Sequence, residues 1–244
     1  MYWLKTKKGF VLATLISSVL FLILTVLAMV FYPGGTYNDP NTIGYSFIDN
    51  YFSDLGRINT FLGETNIVSR SLLTTALTLV GVMLVSYFII FATFFENNKI
   101  SKWLSIIGTI NGVICAIAYM GIGYLSYDIN STYLTWHTNF VYTAFTGSIV
   151  STILYMIAIF HDKDYRNFFG WIYAIFTLIL LGYLIILYAG PASGTPTGRL
   201  IQVLGQKVIV YTEIIIFGIQ AFGSYRMLSR MADPIDQDQS PVID

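Results

Sequence analysis

Apolar residues run along this chain in six long stretches, roughly 10–32, 68–95, 103–126, 137–160, 168–189 and 200–226, separated by polar interruptions. Each stretch is long enough to cross about 30 Å of hydrocarbon as a helix. The pattern predicts an all-α integral membrane protein, a six-transmembrane-helix bundle occupying residues 1–232 as one domain. Interruptions 96–102, 127–136, 161–167 and 190–199 are short, which makes successive helices antiparallel neighbours. The exception is the first, about residues 33–67. It follows Tyr32 with Pro33-Gly34-Gly35 and continues through Asn38-Asp39-Pro40, both turn signals. Ser46 to Asp49 has capping-box spacing, so Phe47–Leu55 reads as a short amphipathic helix lying on the outer surface. A connection this long in a small bundle suits a lid, with Asp49, Ser53, Asp54 and Arg57 as its polar residues.

The last apolar stretch departs from its own pattern. Arg199, Gln202, Gln206, Glu213 and Gln220 fall within about 60° of one another on a helix, a polar stripe among Ile, Val, Leu and Phe. Glu213 lies about 16 Å along the axis from Gln202, near the bilayer midplane, where an ionised side chain costs roughly 2.5–3.5 kcal/mol or more. That face is expected to turn inward and meet a partner. Lys207 lies about 120° from Glu213 around the helix, and it is expected to snorkel outward to the interface.

Composition agrees with a membrane assignment: 55% of the residues are hydrophobic and only 11% charged. Lys5, Lys7, Lys8, Lys99, Lys102, Lys163, Arg166, Arg226 and Arg230 fall on one side of the predicted spans, against Arg57, Arg70 and Arg199 on the other. The positive-inside rule then gives N-in, C-in topology. The basic lead before the first stretch is read as flanking a retained helix, since no small-x-small cleavage site follows. Formal net charge is zero, which removes nucleic acid from the expected partners. Residues 233–244 are acidic and carry prolines, the composition of a disordered tail.

Other polar residues sit where they can meet the stripe. His137, Ser148, Thr152 and Tyr155 share a face of the fourth stretch, with His137 opening that helix at the outer surface. Arg70 begins the second stretch, and an Arg70–Asp54 pair is one way to pin the loop to the bundle. Together with Asp54, Arg57, Asp128, Arg199, Gln202, Gln206 and Lys207, these residues predict an outer-facing polar pocket floored by Glu213. Gly108, Gly112 and Ala116 form a small-xxx-small row that lets a neighbouring helix approach and gives Asn111 a partner across the interface. Asn130-Ser131-Thr132 matches a glycosylation acceptor. No phosphate-binding glycine loop, nucleophile elbow or paired-cysteine metal site occurs. The two histidines fall on opposite sides of the membrane, so neither a metal nor another cofactor is expected.

The loop segment Asn50-Tyr51-Phe52-Ser53-Asp54-Leu55-Gly56 resembles the Ser-Asp-Leu-Gly signature of six-helix membrane proteins of unknown function in bacteria and archaea. That group is distantly similar to the damage-regulated autophagy modulator and FRAG-like proteins. His137 and Gly198-Arg199-Leu200-Ile201-Gln202 resemble its other polar positions. The resemblance implies a six-helix bundle with an outer polar cluster, no established chemistry, and the plasma membrane of a prokaryote.

The leading functional expectation is non-enzymatic binding of a lipid headgroup or small polar ligand by Arg70, Arg199, Gln202, Gln206 and Glu213. Guanidinium groups suit an anionic moiety there. The alternatives are an enzyme on lipid-linked substrates, with His137 as base oriented by Asp54 or Asp128, a proton-coupled carrier using Glu213, and an accessory subunit with a membrane-protein partner.

Overall fold

In the computed structural model, residues 2–232 are described; the acidic tail expected at 233–244 lies outside them. Six helices are long and apolar enough to cross a membrane. They are α1 (Tyr2–Val30), α2 (Ile67–Ala92), α3 (Lys99–Tyr124), α4 (Ser131–His161), α5 (Asn167–Ala189) and α6 (Pro196–Ala232). Hydropathy placed every helix but cut several short. α1 begins eight residues before its apolar stretch (10 − 2), α4 six residues early (137 − 131), and α6 runs six residues past it (232 − 226). Polar first turns carry no hydropathy signal, whereas caps do: the Asn98 side chain accepts from Ile100 N and Ser101 N to start α3. Asn130, the first residue of the glycosylation pattern, accepts from Tyr133 N to start α4. His137 therefore sits inside α4 rather than opening it.

Each helix packs on the next in sequence, and α1 closes the ring against α6. Small residues set the tightest approaches. A Cβ at Gly112 would stand 2.8 Å from the Phe88 ring, and one at Gly147 would stand 2.4 Å from Cys115 Sγ. Across the α3–α4 contact Asn111 donates to Gly147 O (2.6 Å) and Ser151 Oγ (2.7 Å), the partner its position called for. Toward the end of the bundle that carries α1's first turn and α6's last, the core is aromatic. There Phe88, Phe91, Phe95, Tyr155, Tyr165 and Tyr173 interlock at stacked and edge-to-face angles. We call this the terminal end, and the other, which carries residues 31–66, the loop end.

The long loop is folded down onto the bundle. Gly34 and Gly35 both adopt positive φ, and a Cβ on Gly35 would lie 2.2 Å from Leu62 N, so only glycine fits this crossing. Asp39 closes the next turn by accepting from Asn41 N and Thr42 Oγ1. The expected surface helix at Phe47–Leu55 is not formed. Ser46 Oγ does bond Asp49 Oδ2 (2.7 Å), but it closes a turn, and the helical residues are a five-residue 3-10 helix, Phe52–Gly56. Phe52, Asp54, Leu55 and Gly56 are buried in the mouth of the bundle. The reason is that Phe52 and Leu55 find an apolar mouth to fill, while the backbone around them finds polar partners on α6 and on the α3–α4 connection.

Candidate functional site

Residues 51–56 form a plug, and α6 supplies much of its socket. Tyr51 Oη donates to Gln202 Oε1 (2.9 Å) and Phe52 N donates to Gln206 Oε1 (2.7 Å). Arg199 Nε donates to Asp49 O (3.0 Å), and its guanidinium stands 3.6 Å from Asp54 Oδ2. The same guanidinium lies over the rings of Tyr37 and Tyr51 at 4.8 and 4.9 Å. Lys207 Nζ donates to Asn50 O at 2.5 Å and faces the rings of Tyr45 and Phe47. The half of the polar stripe nearer the loop end is thus occupied by the loop itself.

Lys207 corrects one expectation. It reaches toward the loop end, as a snorkelling lysine would, but only 2% of it is exposed because the loop covers it. A backbone carbonyl takes the place of interfacial water. Arg70 corrects another: Asp54's ion-pair partner is Arg199, and Arg70 Nε is buried without a hydrogen-bond partner among the described residues. Asp54 is wholly buried and accepts from Asn50 Nδ2 (3.1 Å), Tyr51 N (2.8 Å) and Tyr127 Oη. Burial pushes its carboxyl above the ordinary carboxylate range, outweighing the donors and Arg199, which pull it down. Burial and the neighbouring Asp54 likewise push the Tyr127 phenol well up, so Tyr127 stays the donor of that pair.

The α3–α4 connection holds the plug from its other side. Asp128 accepts from Ile58 N (3.1 Å) and Asn59 N (3.0 Å), and Ser126 Oγ donates to Gly56 O (2.6 Å). Arg57 donates to Asn59 O and Tyr127 Oη and stacks 4.0 Å over Phe61. His137 is buried with its Nδ1 2.7 Å from Leu125 O and its ring beside Tyr127. Its hydrogen bond goes to that carbonyl, while Asp54 and Asp128 are engaged by the loop, so the His137–carboxylate pairing is not made.

Beneath the plug lies a cavity of about 50 Å³ on the axis of the bundle. Phe52 and Ser53 cover it, and Gln206, Tyr119 and Glu213 are its principal polar lining, the rest coming from apolar residues such as Leu77, Val80 and Phe145. Glu213 is only 3% exposed. Tyr119 Oη donates to its Oε2 (2.5 Å) and Ser148 Oγ to its Oε1 (2.9 Å), so the carboxyl is held by α3 and α4 at the cavity wall. Farther down the stripe, Gln220 Nε2 donates to Phe169 O (2.9 Å) and packs α5 on α6.

Of the polar residues read from the sequence, Asp49, Asp54, Arg199, Gln202 and Gln206 come together at the plug, Ser53 and Glu213 at the cavity. Asn50, Tyr119 and Tyr127 were not singled out as site residues. Tyr119 and Tyr127 are two of 18 tyrosines, and nothing in their spacing separates them from interface or core residues. Among the described residues there is no grouping of His, Cys, Asp or Glu able to hold a metal ion. No protein-family model, curated protein or solved structure matches this chain.

Proposed function

We propose that this multi-pass membrane protein binds a small amphiphile in the axial cavity, with residues 51–54 as its movable cover. The observation that carries the reading is the placement of a buried carboxyl, Glu213, on the cavity wall directly under Phe52 and Ser53. At about 50 Å³ the cavity has room for little more than a few waters, so a ligand enters only when the cover withdraws. The lining suits a ligand with an apolar body and one hydrogen-bonding end that meets Glu213, Tyr119 or Gln206. Exposing the cover's contacts would also free Arg199 and Lys207 for an anionic headgroup arriving from the loop end. The basic residues gathered at the terminal end support N-in, C-in orientation, which puts the cover on the outer face of the membrane. Kinship with the Ser-Asp-Leu-Gly six-helix group, and with it a prokaryotic plasma membrane, is part of this proposal; its motif here, Ser53–Gly56, begins in the cover and completes the plug.

Native mass spectrometry of gently extracted protein tests the reading, with wild type beside Glu213→Gln and Arg199→Ala. A defined amphiphile retained by wild type and lost from Glu213→Gln is the expected result. Identical bulk lipid on all three proteins would leave the stripe with a structural role only.

A further inference from the structure

A second groove lies at the opposite, terminal end, with a volume of about 470 Å³, between the start of α5 and the last turns of α6. Its floor is made by a close contact: Gly223 has no side chain, and a Cβ there would stand 2.2 Å from the Phe169 ring, so that ring lies directly on α6. One face of α6 lines the groove from Ile219 and Phe222 through Gly223 to Arg226 and Arg230, and the α5 cap residue Arg166 faces them. Apolar residues thus come first and arginines follow toward the helix end. All three arginines are exposed, and no guanidinium among them makes a hydrogen bond or ion pair with a described residue, although that of Arg226 lies 5.9 Å over the Phe222 ring. The acid lining the groove, Asp164, is engaged by Asn97 Nδ2 at 3.1 Å. Phe168 and Phe222 are exposed beside the arginines. Exposed Trp3, Trp103 and Trp171, on α1, α3 and α5, mark the membrane interface at this same end.

We infer that this groove binds an anionic glycerophospholipid, its phosphate between Arg166, Arg226 and Arg230 and its acyl chains along Phe222 and Ile219. The lining carries three cations and one anion, so an occupant with negative charge at the interface and an apolar body below fits it. Forked guanidinium donors suit phosphate oxygens, and the order of the α6 residues matches the order of a lipid's parts. This site is separate from the axial cavity and shares no residue with it.

The test is a native mass spectrometry titration of the detergent-solubilised protein with phosphatidylglycerol or with phosphatidylcholine of the same acyl chains. The expected result is phosphatidylglycerol binding about tenfold tighter, with that preference lost in Arg226→Gln/Arg230→Gln and phosphatidylcholine binding unchanged. Lys99→Gln/Lys102→Gln removes equal charge from the same end and is expected to keep the preference. Equal binding of the two lipids overturns the inference. So does a loss that the lysine variant reproduces, since that would mean diffuse surface charge. Replacing Asp233, Asp236, Asp238 and Asp244 by Asn is expected to change phosphatidylglycerol binding less than about twofold; a rise of about tenfold would make the chain's own acidic segment the occupant and overturn it too.

Discussion

Tyr127 and Asp54 illustrate how much of the loop's position rests on single side chains. Tyr127→Phe removes one donor from a buried carboxyl and should weaken docking of the plug by about 1–3 kcal/mol. Measured by hydrogen exchange, the amides of residues 51–57 should open about ten- to a hundredfold more readily, while those of mid-α3 stay unchanged. Because burial raises the Asp54 pKa, the docked loop takes up a proton that the free loop releases. Docking therefore strengthens as pH falls through the docked value and levels off below the ordinary value near 3.8. Asp54→Asn should flatten this dependence in the same exchange measurement; a variant that kept the full slope would assign it to another group. Sequence reading found Asp54 and Arg199 because charged residues are rare in this chain. It paired Asp54 with Arg70 instead, because both arginines open helices at the loop end and nothing in the linear order says which of them the path of the loop brings to Asp54.

At the scale of elements, the helices differ in how they tolerate bulk. Gly147 meets Cys115 across the α3–α4 contact, whereas Gly182 on α5 has nothing within 4 Å of its would-be Cβ. Gly147→Ala should lower stability by about 1–3 kcal/mol through overpacking. Gly182→Ala should be neutral or stabilising by roughly 0.5–1 kcal/mol, as expected for a helix interior. Thermal melts of both variants in one detergent settle the contrast, and equal effects would contradict the packing described for α3 and α4. The helices themselves were legible in the sequence, because a lipid solvent forces long apolar runs and leaves little alternative. The plug was not. Phe47–Leu55 has the composition of a surface helix, and only the tertiary fit of Phe52 and Leu55 into the mouth decides that the chain turns at Asp49 and coils at Phe52 instead.

For the whole molecule, the ring closed by α1 against α6 makes a chamber whose cover and wall come from distant parts of the chain. If the cover must withdraw for a ligand to pass, tethering it should trap what is inside. In a Cys115→Ser background, Tyr51→Cys with Gln202→Cys joined by a short bismaleimide should slow ligand exchange at least about tenfold without changing the melting temperature downward. Unchanged exchange in the tethered protein would show that ligand reaches Glu213 by another route. The closed ring also bears on how the protein is made. α6 carries Arg199, Lys207 and Glu213, and the partners Asp49, Asn50, Asp54, Tyr119 and Ser148 all precede it in the chain. A helix with those charges inserts poorly alone, at roughly 2.5–3.5 kcal/mol for each charge near the membrane centre. When ribosomes deliver α6, however, its counterparts are already in the bilayer. Synthesis order thus turns an unfavourable insertion into the closing step of assembly, and a rearranged gene that encoded α6 first would send the same helix into lipid before any of its partners exist.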